Sequence, residues 1–196
     1  MAAGGIASLS TVVSCSSSPD KTPVSGMTSV EDVEQPHAPS KGPQDAPQDW
    51  TSVNFSGISL SLLTSFKGPT RRSGWAPYIV SYDKQGSSSD VEQRVLLSGV
   101  DASTTADGIR QTVNLMNSYL FENYSEISRV SWEADGDKPA TERIAFYWGP
   151  TSSWLGWTWL LASEVGTGTV TLLSTSLDDG LRNGIENSLT LTRRQQ

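Results

Sequence analysis

Four carboxylates crowd one short stretch of the sequence: Glu133, Asp135, Asp137 and Glu142. Paired carboxylates can divide acid and base duty in a hydrolysis, and an Asp-Gly-Asp run is how some calcium loops begin. Neither reading extends along the chain. The calcium loop would need further oxygen ligands and a closing Glu. Asp135-Gly136-Asp137-Lys138-Pro139 reads instead as a turn, and the acidic residues around it as the solvated end of a hairpin. No Ser–His or Cys–His pair is available to the folded part of the chain. The single histidine is His37, in a polar segment, and the single cysteine is Cys15, which excludes an internal disulfide. G-x-S-x-G, G-x-x-x-x-G-K-[ST] and H-E-x-x-H are absent, and there is no Cys/His set for zinc. Gly166-Thr167-Gly168 opens a strand rather than a helix, so it forms no phosphate cradle. The sequence therefore predicts no enzyme, no metal and no cofactor.

The tryptophans are the other residues with chemical capacity. Trp148, Trp154, Trp157 and Trp159 fall within twelve residues. Trp148, Trp157 and Trp159 sit in strand-like runs and are expected to fill the core. Trp154 falls in a loop, Gly149–Leu155. Trp75 borders another loop, Phe66–Gly74, which carries Arg71 and Arg72. Exposed Trp and Arg on loops are typical anchors of interfaces, and an aromatic face also suits a sugar ring. Trp75, Trp154, Arg71 and Arg72 are thus the candidate partner-binding residues; the alternative for both tryptophans is a structural rim.

These residues are positioned by a legible series of elements. Arg129–Ala134, Thr141–Trp148, Trp157–Glu164 and Thr169–Thr175 are four period-2 runs, each bounded by Gly or Pro turn signals, as in an antiparallel meander. Ile144, Phe146 and Trp148 share one face, and so do Trp157, Trp159 and Leu161. Earlier, Val53 and Phe55 followed by Ile58, Leu60 and Leu62 form a strand pair or a strand bulged at Gly57. Trp75–Tyr82 and Val91–Val100 are further strands, separated by a Gly/Ser turn at Lys84–Ser89. Between these groups the period changes. Thr104-Thr105-Ala106-Asp107 resembles a capping box. Ile109, Val113, Met116 and Leu120 then make one helical face, with Asn114, Asn117 and Ser118 nearer the other side; that helix ends near Asn123. A second box, Ser176–Asp179, precedes the stripe Leu177, Leu181, Ile185 and Leu189, after which Thr190–Gln196 reads as a frayed tail. Grouped strands and two apolar-faced helices predict an α+β fold, with an antiparallel sheet of about 6–7 strands covered at least partly on both faces.

The N-terminal quarter has a different character. Cys15–Asp49 holds six of the ten prolines and almost no large apolar side chains, which accounts for the low overall hydrophobic content of 36%. Such a segment cannot bury enough apolar area to offset the entropy of ordering it. As a flexible spacer of about 34 residues it would span roughly 30–35 Å. Before it, Val12-Val13-Ser14-Cys15 resembles a bacterial lipobox, with a branched apolar residue three before the cysteine and a small residue directly before it. The organisation expected is 1–15 signal-like with a lipobox, 16–49 a disordered Pro/Ser/acidic linker, and 50–192 the α+β domain. The other reading of the N-terminus is an unstructured tail with a chance cysteine. A net charge of −7 argues against a nucleic-acid partner, which requires clustered Lys and Arg.

The order of elements, with the opening Phe55-Ser56-Gly57-Ile58-Ser59-Leu60, the meander ending in Thr171–Thr175 and the closing Leu177–Leu189 helix, resembles the PsbP-like fold. Within it the chain is similar to actinobacterial LpqN/LpqT-type lipoproteins, over about residues 50–191. Leu63 departs from that pattern, standing where those proteins often have proline. The resemblance implies an α/β/α sandwich without an active site. It also implies a protein lipid-anchored through Cys15 on the extracytoplasmic side of the cell membrane, serving as a binding or accessory module for a protein, glycan or lipid partner. Two other readings remain: a cytosolic adaptor or chaperone-like protein of the same fold, and an enzyme using the hairpin carboxylates.

Overall fold

The computed structural model describes residues 49–152, 154–176 and 178–193; Cys15, His37 and the expected anchor and linker lie outside the described residues. The described chain opens with a hairpin. β1 (Trp50–Phe55) and β2 (Ile58–Leu63) pair antiparallel from Trp50↔Leu63 to Phe55↔Ile58. The two turn residues, Ser56 at φ 50° and Gly57 at φ 90°, are both left-handed, the geometry whose twist matches the flanking strands. A Cβ on Gly57 would also lie 2.5 Å from the Thr192 carbonyl oxygen, so conformation and space both call for glycine.

The remaining elements are β3 (Lys67–Arg71), β4 (Val80–Gln85), β5 (Val91–Leu97), α1 (Ala106–Leu120), β6 (Ser125–Trp132), β7 (Ala140–Trp148), β8 (Trp154–Ser163), β9 (Gly166–Ser174), α2 (Asp179–Ser188) and β10 (Thr190–Leu191). A seven-stranded antiparallel sheet runs β3-β4-β5-β9-β8-β7-β6, and a three-stranded sheet runs β1-β2-β10. Side-chain alternation divides the large sheet cleanly. Val95, Leu97, Trp157, Trp159, Leu161, Val170 and Leu172 face β2 and the α2 residues Leu181 and Ile185. Their sequence neighbours face the other way: Ile144 and Leu160 pack on Ile109 and Val113 of α1, and Leu96, Phe146 and Leu173 on Tyr78 and Phe121. The expected α+β architecture, with antiparallel strands and both faces covered, is what the chain adopts.

Several local expectations are corrected. Phe66–Gly74 is not all loop: Lys67–Arg71 is an edge strand whose five residues are all exposed, so no apolar alternation marks it. Trp75 to Ile79 precede β4 rather than forming part of it. The helix N-caps are shifted from the expected boxes. Thr105 Oγ1 accepts from the Gly108 N–H at 3.1 Å, whereas the Thr104 hydroxyl is turned back to Asp101 at 2.7 Å. In α2 the cap is Asp178, whose carboxylate accepts from the Leu181 N–H at 2.8 Å. Thr105→Ala is therefore expected to cost about 1 kcal/mol in urea denaturation, more than Thr104→Ala; the opposite order would restore the first box. α1 stops at Leu120, not Asn123, with Phe121 as C-cap. The tail is not frayed throughout, since Thr190 and Leu191 pair with Ser59 and Ile58.

Candidate partner-binding surface

Of the four residues singled out at loops, the structure brings two into one cluster. Asp83 of β4 lies between two arginines: Arg72 Nη2 donates to it at 2.7 Å, and Arg94 of β5 donates from Nε and Nη2 at 2.8 and 2.9 Å. Arg72 also donates to the buried Ser81 hydroxyl from both Nε and Nη2. Strand geometry produces this set, because Ser81 and Asp83 share one face of β4 and Asp83 is directly opposite Arg94. Partial burial pushes the Asp83 carboxyl upward, but the hydrogen bonds and charge of Arg94, with Ser81 and Arg72, outweigh it and hold the group below the usual carboxylate range. The indole of Trp75 completes the cluster, with the Arg72 and Arg94 guanidinium carbons 5.9 and 5.7 Å from its ring centre. Such contacts are each worth about 0.5–1 kcal/mol at exposed sites. The cluster carries one more positive than negative charge.

Arg71 is not part of it; it stands exposed on edge strand β3. Trp154 is not in a loop either. It is the first residue of β8, directly opposite Trp148 on β7, and the two rings meet edge-on at 4.8 Å. Gly149 makes room for it: a Cβ there would lie 2.3 Å from Trp154 Cε3. Trp75 and Trp148 both pack on the buried group of Tyr78, Leu96, Phe121, Phe146 and Leu173. The two sequence candidates thus border one aromatic cluster at the C-terminal end of α1, both half-buried.

The acidic hairpin comes apart. Glu142 is turned inward and buried, bridged by Arg129 of β6 and by Arg110 of α1 at 2.8 Å. Glu133, Asp135 and Asp137 stay exposed around a tight Asp135–Lys138 turn. Among the described residues no cluster of His, Cys, Asp and Glu could hold a metal ion. On the opposite face lies a group that the sequence did not announce. Glu186 of α2 accepts from the Trp159 indole at 2.9 Å and from Arg143 at 3.0 Å, with Arg143 lying 5.4 Å from the Trp132 ring centre. The one available signal was Arg143 itself, a cation that strand alternation turns to the face opposite Glu142 and Ile144.

The chain matches no protein-family model, and no curated protein matches it. Its architecture does match a solved one. The solution structure of cyanobacterial PsbP (CyanoP) from Synechocystis sp. PCC 6803 aligns with 79% of this chain and 100% of its own, at a TM-score of 0.54 and 12% sequence identity. The fold is PsbP-like. At that identity the likeness is one of fold. In this PsbP-like frame the Trp75 cluster sits beyond the C-terminal end of α1, over the β4–β5 side of the large sheet.

Proposed function

We propose that the protein is a non-enzymatic lipoprotein of the LpqN/LpqT type, held at the outer face of the cell membrane through Cys15. On this reading it is a binding or accessory module that presents its Trp75 surface to a protein, glycan or lipid partner. The observation that carries the reading is how the inward-turned carboxylates are used. Asp83 lies between Arg72 and Arg94, Glu142 between Arg110 and Arg129, and Glu186 between Arg143 and Trp159. Each of these carboxylates already accepts from a guanidinium or indole N–H donor of the fold itself, so it serves packing rather than standing open to a substrate. Trp75 with its two guanidinium groups, by contrast, offers a flat aromatic and cationic face of the sort that anchors interfaces.

Intact-mass measurement on the membrane and soluble fractions of the native host tests this. The expected species begins at Cys15, carries added acyl mass and sediments with membranes. Two or three acyl chains, at about 0.8 kcal/mol per buried CH₂, suffice for stable anchoring. Cys15→Ser should release the protein to the soluble fraction. An unmodified chain already soluble in the wild type would sink the lipoprotein reading and favour the cytosolic adaptor.

A further inference from the structure

At the other end of α1 from the Trp75 surface lies a cleft of about 790 Å³, within the range of roughly 300–1,000 Å³ typical of small-ligand sites. Three turns converge on it, and backbone hydrogen bonds lock them together. Val100 N–H donates to the Ser56 carbonyl at 2.9 Å, Asp101 and Thr167 exchange bonds at 2.8 and 2.9 Å, and Thr192 N–H donates to the Gly57 carbonyl at 2.8 Å. The site is therefore preformed. Glycine keeps its walls open: a Cβ on Gly99, at φ 83°, would press on Ser56 at 3.0 Å.

The lining has two parts. Ile79, Val100, Ile109 and Val165 supply an apolar floor, and Ile79 is 38% exposed. Charge comes from Asp101, Glu164 and Arg193. Asp101 is already occupied, accepting from the Ser103 N–H at 2.8 Å, the Ser103 hydroxyl at 2.6 Å and the Thr104 hydroxyl at 2.7 Å. Glu164, on the β8–β9 turn, and Arg193, just past β10, make no side-chain hydrogen bond or ion pair among the described residues. Arg193 reaches the cleft because β10 pairs with β2 and Thr192 is tied to Gly57. An apolar floor thus sits within one site with an available cation and an available anion.

We propose that this cleft binds a short apolar peptide with free termini, its side chains on the Ile79 floor, its carboxylate on Arg193 and its ammonium on Glu164. The inference is independent of the anchor and of the Trp75 surface. A fatty acid would satisfy Arg193 but set its carboxylate in a cleft that also holds Glu164 and Asp101. A neutral glycan would use neither the charges nor the floor. Electrostatic complementarity of this sort selects among ligands of similar size.

The test is an amide NMR titration of the full-length chain with leucyl-leucine, with N-acetyl-leucyl-leucine amide and octanoate as comparison probes. Leucyl-leucine should shift the Ile79, Val100 and Val165 amides saturably, and the blocked peptide should bind about tenfold more weakly, having lost two exposed ion pairs. Arg193→Gln and Glu164→Gln should each weaken leucyl-leucine about two- to fivefold. Both side chains are exposed, so the spectrum elsewhere should stay that of the wild type. No saturable shift, or equal affinity for the blocked peptide, would overturn the proposal. So would octanoate binding that Glu164→Gln strengthens, which marks a monoanion site.

Discussion

Glu186→Ala is expected to destabilise the protein by about 3–5 kcal/mol, the usual cost of removing one member of a buried ion pair. Both side chains of the Arg143–Glu186 pair are 9% exposed. The same Glu186 oxygen accepts from the fully buried Trp159 indole. Deleting the carboxylate therefore takes a buried carboxylate partner from Arg143 and the acceptor from Trp159 together, and it loosens α2 from the large sheet. Two charges brought out of water recover little net energy from each other, so replacing both should be far milder than replacing one. Arg143→Met combined with Glu186→Leu should recover most of the loss, leaving about 1–2 kcal/mol for the unanswered indole N–H. Urea denaturation of the two single variants and the double variant measures the coupling directly. A loss below about 1 kcal/mol for Glu186→Ala would mean that water reaches the pair and screens it.

The second large effect is expected at Asn117. It is fully buried in α1; its carbonyl oxygen accepts from Tyr78 at 2.9 Å and its amide donates to Thr158 at 3.1 Å. Thr171 closes the ring, 2.6 Å from Tyr78 and 2.7 Å from Thr158. All four residues are essentially without solvent contact. Burial raises the Tyr78 phenol well above its ordinary range despite its hydroxyl partners, so it stays a neutral donor at any physiological pH. Asn117→Ala strands one donor and one acceptor in a site that water does not reach, which should cost about 3 kcal/mol. Asn117→Leu should be no better, because its volume returns without its hydrogen bonds. Thermal and urea unfolding of both variants decide this, and a Leu variant as stable as wild type would show that the ring confers no stability.

Asn117 also shows where sequence reasoning stops. Helical periodicity placed Ile109 and Val113 on the buried face correctly, because a side chain's face follows from its position in the turn. The same reasoning assigned Asn117 to the solvent side because of its chemistry. Yet it lies eight residues after Ile109, close to the same face, and its burial is made tolerable by Tyr78 and Thr158, about forty residues away in either direction along the chain. Glu142 is a parallel case. Its place beside an acidic turn suggested a cluster, while strand alternation pointed it at Arg129 and Arg110 instead.

By itself the sequence determined what depends on neighbours along the chain. Side-chain period and turn residues are local properties, so they marked the four runs of the meander, the apolar stripes of both helices and the α+β class. Leu177 of the second stripe lies outside the described residues. The same signals left the opening strands as either a pair or one strand bulged at Gly57, which the structure resolves as a hairpin. The sequence also revealed the compositional break after the N-terminal quarter. Only the tertiary structure decided what depends on distant partners. Edge strand β3 was invisible because a strand exposed throughout needs no apolar pattern. The tail became a strand because β2 offered it an open edge. Trp75 found its arginines because β4 and β5 set Asp83 opposite Arg94. The cleft, finally, joins Ser56, Gly99, Glu164 and Arg193, residues that only the register of both sheets brings together.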